Sequence, residues 1–212
     1  MNIANLITAG RFVLVFVLVG MVYDAPPPWQ LANPVLLTII IALDGLDGYI
    51  ARKRGESSLF GSVFDIAVDR VVENVLWIVL ADLDLIPVWV ALVFITRSLL
   101  VDSVRCHGAA RGQNAFAMLR TPLARFLVAG RFMRGFYGFV KAAAFAWILL
   151  LQPWPAVFPS LWSAWSGPMT LTGEILVYLA VAVCLIRGVP VLLEFVVNEG
   201  LKRPPQHMGE PR

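Results

Sequence analysis

The amino-acid sequence predicts an all-α, polytopic membrane protein in which six transmembrane helices with short loops form one bundle. Three observations indicate this fold class. The chain has 212 residues, 59% of them hydrophobic, and its mean hydropathy is +0.77. Only 15% of the residues are charged, whereas soluble domains carry about 25%. Its apolar residues fall into six segments, and a membrane core takes about 20 apolar residues per helix.

The six predicted spans are separated by stretches with turn chemistry. The connections DAPPPWQ, KRGESS and DLDLIP are rich in Pro, Gly, Ser or Asp, which favour turns. The fifth connection, QPWPAVFPSLWSAWSGP, is rich in Pro and Trp, and tryptophan is common at membrane–water interfaces. The predicted spans are Leu6–Tyr23, Asn33–Ala51, Leu59–Ala81, Leu85–Val104, Phe132–Leu151 and Glu174–Val197.

The distribution of basic residues predicts the topology. The connections after the first, third and fifth spans contain no Lys or Arg, whereas the opposite side holds many. Because basic loops face the cytoplasm, both termini are expected there. Residues 1–200 are predicted to form a single domain and residues 201–212 a disordered tail. The basic segment Arg105–Arg134 suits either an amphipathic helix on the inner leaflet or a solvated loop.

Four aspartates lie in the second and third predicted spans. Asp44 and Asp47 are three residues apart, and Asp65 and Asp69 are four apart, so each pair lies on one helix face. Both pairs lie near the turn that joins the two spans, which is expected on the cytoplasmic side. Two adjacent antiparallel helices would therefore bring the four carboxylates together near the inner membrane surface. Each isolated Asp costs about 2.5–3.5 kcal/mol at a membrane centre, so a compensating charge is expected.

Two explanations of the aspartates remain open from the residues alone. Divalent cations would relieve their repulsion, and oxygen ligands suit hard ions such as Mg²⁺ or Mn²⁺. Small residues beside them would leave room for a ligand, and basic residues at the mouth would suit a diphosphate. Alternatively, the carboxylates form structural ion pairs with Arg52, Arg70 and Arg97.

The pattern D-x2-D-G-x2-A-R-x8-G-x3-D-x3-D runs from Asp44 to Asp69 without a missing position. It resembles the signature of the CDP-alcohol phosphatidyltransferase family, and NLITAGR near the N-terminus resembles the opening of that family's first helix. The resemblance implies transfer of a phosphatidyl group from CDP-diacylglycerol to an alcohol, with release of CMP, by a homodimer holding two divalent ions, Mg²⁺ or Mn²⁺. It implies that Asp69 is the catalytic base, that the metal ligands are Asp44, Asp47, Asp65 and Asp69, and that the CDP pocket is lined by Asp47, Gly48, Ala51, Arg52 and Gly61.

The acceptor alcohol is indicated by the fourth and fifth spans. Arg97 and Arg105 lie eight residues apart on one helix face, either as membrane anchors or as ligands of an anionic acceptor. The stretch RSLLVDSVR, and Lys141 at the end of GFYGFVK, resemble the phosphatidylglycerophosphate synthase branch of the family. Ser98 and Ile66 depart from that branch, and Arg70 is more typical of the inositol-phosphate branch. Glycerol 3-phosphate is therefore the predicted acceptor, with inositol phosphate second.

Other classes of function fit the sequence less well. A transporter with an intramembrane carboxylate relay would leave the glycines and Arg52 unexplained. A non-catalytic scaffold descended from the enzyme would be expected to lack a metal ligand. We expect a multi-pass protein of the cell membrane, with the site facing the cytoplasm and no nucleic-acid partner.

Overall fold

The computed structural model describes residues 3–54, 59–110 and 125–197, except the side chains of residues 51, 52, 54, 59 and 107–110. The described ranges are helical and contain no strand. Six of their helices are long. In chain order the helices are α1 (Ile3–Asp24), α2 (Pro27–Gln30), α3 (Asn33–Arg54), α4 (Leu59–Asp82), α5 (Val88–Ala110), a π-helical turn (Arg125–Ala129), α6 (Arg131–Leu151), α7 (Trp154–Val157) and α8 (Pro159–Phe195).

Prolines and one left-handed residue set several helix boundaries. Proline lies in the first turn of α2, α7 and α8. Backbone N–H groups in the first turn have no hydrogen-bond partner within the helix, so proline, which has no N–H, is tolerated there. Pro87 precedes α5, and Asp84 in the same connection has φ of 55°. Aspartate tolerates this left-handed conformation better than most residues. The predicted turn DLDLIP thus separates two helices, whereas residues 55–58 of the predicted turn KRGESS lie outside the described ranges.

The six long helices pack as a closed ring. Helix α1 contacts α3 and α4, α3 contacts α6, α6 contacts α8, α8 contacts α5, and α5 contacts α4. At the centre, Trp77 of α4 is fully buried and stacks on Phe94 of α5, with ring centroids 4.1 Å apart. Phe145 of α6 also packs on Trp77, with ring centroids 4.3 Å apart and the ring planes tilted by 49°. Aromatic packing therefore joins three helices at the core.

One end of the bundle is closed by polar contacts among the connections that lack basic residues. The side-chain amides of Gln30 and Gln152 both donate to the carbonyl oxygen of Val22, each over 3.0 Å. Tyr23 donates to Asp82 over 2.6 Å. These bonds hold the ends of α1, α4 and α6 together. The four aspartates of α3 and α4 lie toward the opposite end of the bundle.

Four described segments are long and apolar enough to cross a membrane: Ile3–Asp24, Pro27–Ile50, Arg131–Val157 and Pro159–Phe195. Helices α4 and α5 have comparable lengths, 24 and 23 residues, but carry several charged side chains. The described part of the chain is thus all-helical, with four segments able to cross a membrane, and the six-span count stays a prediction.

The last helix begins earlier than predicted. The connection expected after Leu151 is largely helical, because α7 lies within it and α8 starts at Pro159 and runs for 37 residues. The prolines were interpreted as helix breaks, but Pro159 begins α8 and Pro168 is accommodated inside it. A helix of this length spans about 55 Å, more than the roughly 30 Å of a membrane core.

Two predicted features lie partly or wholly outside the described residues. Within the basic segment Arg105–Arg134, α5 continues through Ala110 and the π-helical turn begins at Arg125, while residues 111–124 are not described. The predicted tail, residues 201–212, is also outside the described ranges.

Candidate active site

Three of the four aspartates converge at one end of the bundle. Asp44 and Asp47 extend from α3 and Asp65 from α4, and one carboxylate oxygen of each lies within 4.8 Å of the others. Of the four carboxylates that the sequence predicted to meet, these three do so. Asp69 lies one turn further along α4, outside this set, and lines two cavities together with Asp44.

Helix α1 lies between the two aspartate-bearing helices. It packs on both α3 and α4, whereas α3 and α4 are not major packing partners of one another in the described ranges. Arg11 of α1 is buried, and its Nη1 contacts Asp44 closely and lies 3.4 Å from Asp47 and 3.5 Å from Asp65. Thr8, one turn earlier, places its hydroxyl 2.9 Å from Asp47. The cluster is thus assembled from three helices.

Two cavities share Asp44 and Asp69. The first, of about 200 Å³, also has Arg11, Glu73 and Lys141 in its wall. The second, of about 290 Å³, is more polar and lies on the α5 side. Its lining residues are Asp44, Asp65, Ile66, Asp69, Arg70, Asp102, Arg105 and Cys106. Asp69 is therefore positioned to face a molecule in either cavity.

A chain of ion pairs forms the walls of these cavities. Arg70 of α4 donates to both carboxylate oxygens of Asp102 on α5, over 2.6 and 3.2 Å. Glu73 is buried and lies 2.8 Å from Lys141 Nζ on α6 and 3.3 Å from Arg70. Arg105 lies 3.6 Å from Asp102. The network joins α4 to both α5 and α6.

The clustered aspartates form ion pairs, but not with Arg70 or Arg97, two of the arginines expected from the sequence. Arg70 pairs with Asp102 and Glu73 rather than with the clustered aspartates, whose cation is Arg11. For Arg97, the described residues include no carboxylate within ion-pair distance. The side chain of Arg52 lies outside the described atoms.

A second group of cations surrounds Tyr137 on α6. Lys141 Nζ lies 4.4 Å from its ring centroid, and the guanidinium carbons of Arg97 and Arg187 lie 5.6 and 5.4 Å away. Both arginines are buried. Arg187 donates to the carbonyl oxygens of Leu127 and Val128 in the π-helical turn. This group lies beside the first cavity, which Lys141 lines.

The predicted acceptor residues do not all line the same cavity. Arg105 and Lys141 line the cavities that hold Asp69, but Arg97 instead faces Tyr137 and an apolar groove between α5 and α8. Gly48 and Gly61 lie on α3 and α4, one turn from Asp44 and Asp65. The side chains of Ala51 and Arg52 are not described, so their predicted donor contacts stay predictions.

Several residues of the site were missed by sequence reasoning. Arg11, Glu73, Asp102 and Arg187 are ionisable side chains within apolar helices, and such residues are rare enough to indicate a function. That signal was available for each of them. Their partners, however, depend on how helices distant in sequence pack.

The observed donor set fits a divalent metal ion. The three clustered side chains offer only oxygen ligands, which hard ions such as Mg²⁺ and Mn²⁺ prefer. Asp65 Oδ1 is buried and accepts no hydrogen bond, although Arg11 Nη1 lies 3.5 Å from it, so the protein does not fully satisfy this carboxylate. The side chains of Asp44 and Asp65 are about half exposed, which leaves a route of approach.

The fold and the site define a class, namely a helical membrane protein with a carboxylate-rich cavity, walled by cations, at one end of the bundle. Comparison with known proteins defines the family. The model of the family described as CDP-alcohol phosphatidyltransferase matches residues 1–156. The chain belongs to the CDP-alcohol phosphatidyltransferase family. It is a transferase that moves a substituted phosphate group in phospholipid synthesis.

Three relatives carry the same type of name. A CDP-diacylglycerol–glycerol-3-phosphate 3-phosphatidyltransferase of Bacillus subtilis (strain 168) is 27% identical over 77% of this chain and 92% of its own length. A protein of that name from Pseudomonas fluorescens is 32% identical over 50% of this chain and 55% of its own. A chloroplastic counterpart from Oryza sativa subsp. japonica is 35% identical over 48% of this chain and 30% of its own. The chain thus spans nearly all of the first relative but only part of the other two.

Proposed function

We propose that the chain transfers the phosphatidyl group of CDP-diacylglycerol to glycerol 3-phosphate and releases CMP. The observation that carries the proposal is that Asp69 faces two cavities whose walls together hold Asp44 and Asp65 of the aspartate cluster and the cations Arg105 and Lys141. This arrangement offers one place for a diphosphate and another for an anionic acceptor. The names of the three relatives support glycerol 3-phosphate as the acceptor.

The donor end of the site would be organised by the aspartates. Asp44, Asp47, Asp65 and Asp69 would hold two Mg²⁺ or Mn²⁺ ions. When bound, such ions neutralise the charge of a diphosphate and of the departing CMP. Gly48, Ala51, Arg52 and Gly61 would line the CDP pocket on the adjoining helix turns, where small residues allow a ligand to approach the backbone.

Asp69 would act on the acceptor. Its carboxylate takes the proton of the attacking hydroxyl, which forms a bond to the phosphorus that carries the diacylglycerol. The bond from that phosphorus to the bridging diphosphate oxygen breaks, and the electron pair leaves with CMP. Asp69 is exposed to both cavities, so it can reach a hydroxyl that enters from the polar side.

The phosphate of the acceptor would be held by cations beside Asp69. Arg105 and Lys141 lie in the walls of the two cavities, and a charge-assisted hydrogen bond is stronger than a neutral one. Arg97 is the third predicted acceptor residue, and Tyr137 connects it to Lys141. Arg187 also lies over this ring, 5.4 Å from its centroid, and belongs to the same group of cations.

The membrane arrangement proposed for this enzyme has six spans within a single domain, residues 1–200. The closed ring of six long helices supports the count. Both termini and the acidic site would face the cytoplasm, because the basic residues cluster at that end. The acyl chains of the donor would then stay in the membrane while its diphosphate reaches the site. Family resemblance supports a homodimer in the cell membrane.

CMP release by purified protein tests the proposal. The assay offers CDP-diacylglycerol with Mg²⁺ or Mn²⁺ and, in parallel, glycerol 3-phosphate, inositol 1-phosphate, inositol or serine, with EDTA as the blank. We expect metal-dependent CMP release with glycerol 3-phosphate and little with the others. Release only with inositol 1-phosphate would assign the second candidate acceptor. No release with any of them would contradict the proposed acceptor class.

A further inference from the structure

We infer that Arg11 is a positioning residue that holds Asp44, Asp47 and Asp65 from the buried side of the cluster, so that their free oxygens are ready for a divalent ion. The inference rests on the proposed function, because it takes the clustered aspartates as metal ligands. It adds a residue from α1 to a site whose predicted members all lie on α3 to α6.

The contacts of Arg11 converge on all three carboxylates. Its side chain is 1% exposed, and a single atom, Nη1, contacts Asp44 Oδ1 and lies 3.4 Å from Asp47 Oδ2 and 3.5 Å from Asp65 Oδ1. Each aspartate thus meets the guanidinium through one oxygen. The second oxygen of each carboxylate remains for another ligand.

The cluster is closed on one side and open on the other. The side chains of Asp44 and Asp65 are 47% and 44% exposed, in contrast to Arg11. Asp65 Oδ1, the oxygen that faces Arg11, is buried, so the exposure of this side chain belongs to its other atoms. An ion would therefore approach from the open side, opposite the guanidinium.

The packing of the helices explains why a cation is needed behind the carboxylates. Three anions within 4.8 Å repel one another, and α3 and α4 are joined through α1 rather than directly in the described ranges. Arg11 supplies the opposite charge between them. Thr8 adds a neutral contact to Asp47 from the same helix face. Groups that orient metal ligands in this way typically contribute 10–100-fold to metal affinity.

The test measures metal binding rather than turnover. Free Mn²⁺ is followed by electron paramagnetic resonance in titrations of the full-length protein in detergent, and the unfolding temperature is recorded in EDTA. We expect Arg11→Gln to bind Mn²⁺ about 10–100-fold more weakly and to unfold at a lower temperature without metal. Arg11→Lys, which keeps the charge but not the planar fork, should fall between Arg11→Gln and the unsubstituted protein.

Two further variants keep the test valid if Arg11→Gln does not fold. Thr8→Val retains the cation and removes only the hydroxyl beside Asp47, so we expect a loss in Mn²⁺ affinity of about 5-fold. Tyr23→Phe removes a hydrogen bond at the opposite end of the same helix and should bind Mn²⁺ normally.

The outcomes separate this inference from the proposed function. Unchanged Mn²⁺ affinity in Arg11→Gln and Thr8→Val would overturn the positioning role while leaving the metal site in place. Tighter binding in Arg11→Gln would also overturn it, since Arg11 would then compete with the ion. If the unsubstituted protein binds no Mn²⁺, the proposed metal site itself is wrong and the inference fails with it.

Discussion

The buried side chain of Arg97 packs closely against Gly188 on the neighbouring helix, where the lack of a side chain leaves room for it. A Cβ atom at Gly188 of α8 would lie 2.7 Å from Arg97 Cγ and 3.2 Å from its Nε. Real Cβ atoms do not approach other atoms this closely, so Arg97 would have to move. Gly188 therefore fixes the position of a buried guanidinium that we assign to the acceptor end of the site.

The substitution Gly188→Ala tests that assignment. Because a displacement of about 1 Å at a site can cost up to 100-fold, we expect kcat/KM for glycerol 3-phosphate to fall roughly 10–100-fold. The KM for CDP-diacylglycerol should change little. Gly167→Ala in the same helix is the matched control, because a Cβ there meets no atom within 4 Å. Equal acceptor kinetics in the two variants would argue against a role for Arg97.

At the scale of helices, α4 is the element that ties the site together. It carries Asp65 and Asp69, and its Glu73 and Arg70 pair with Lys141 on α6 and Asp102 on α5. Glu73 is buried, so its carboxylate needs these cations. The same residue that joins α4 to α6 therefore also fixes Lys141 in the cavity wall.

Loss of the pair between Glu73 and Lys141 should destabilise the bundle. Removing one partner of a buried pair costs about 3–5 kcal/mol, and Lys141 is slightly exposed, so we expect about 2–3 kcal/mol for Glu73→Gln. The measurement is unfolding by a chaotrope in detergent. The double variant Glu73→Gln/Lys141→Met should recover part of the loss, because no unpaired cation remains. Strictly additive losses would show that the two residues do not interact.

For the whole molecule, labelling of the natural cysteine Cys106 can show which side of the membrane the site faces. Cys106 is exposed and lines the polar cavity with Asp44 and Asp69, whereas Cys184 is buried. We expect a membrane-impermeant maleimide to label Cys106 in inside-out membrane vesicles and not in right-side-out vesicles. A Cys106→Ala variant identifies the labelled thiol. Labelling only from the outer face would reverse the proposed topology.

The same thiol should respond to substrate. CDP-diacylglycerol with Mg²⁺ would fill the cavity that Cys106 lines, so we expect labelling of Cys106 to slow several-fold when both are present. Mg²⁺ alone should have a smaller effect because it leaves most of the cavity open. Labelling at an unchanged rate with both ligands bound would place the donor elsewhere.

Local spacing predicted the acidic site, and long-range packing determined what surrounds it. Asp44 and Asp47 lie three residues apart on α3, and Asp65 lies near the start of α4, so the sequence predicted that these residues would meet at one end of the bundle. The position of Arg11 depends on α1 packing between α3 and α4, which no periodic pattern in the sequence indicates.

Prolines explain the main error in the predicted fold. Pro159 and Pro168 were interpreted as loop residues, yet one begins α8 and the other lies inside it. In a membrane helix, neighbouring groups can satisfy the backbone carbonyl that proline frees, so proline marks a boundary less reliably there than in soluble proteins. The first, second, third and fifth predicted spans lie within three residues of the observed limits of α1, α3, α4 and α6, whereas α5 continues to Ala110, beyond the predicted end at Val104.

We propose that phosphatidyl transfer takes place at the acidic end of the bundle, with Asp69 as the base. The most direct measurement is CMP release by Asp69→Asn and by Asp82→Asn, two equivalent substitutions in α4, with CDP-diacylglycerol, glycerol 3-phosphate and saturating Mg²⁺. We predict that Asp69→Asn lowers turnover at least about 100-fold while the protein stays monodisperse, and that Asp82→Asn, at the opposite end, retains it. Full turnover in Asp69→Asn would contradict the account.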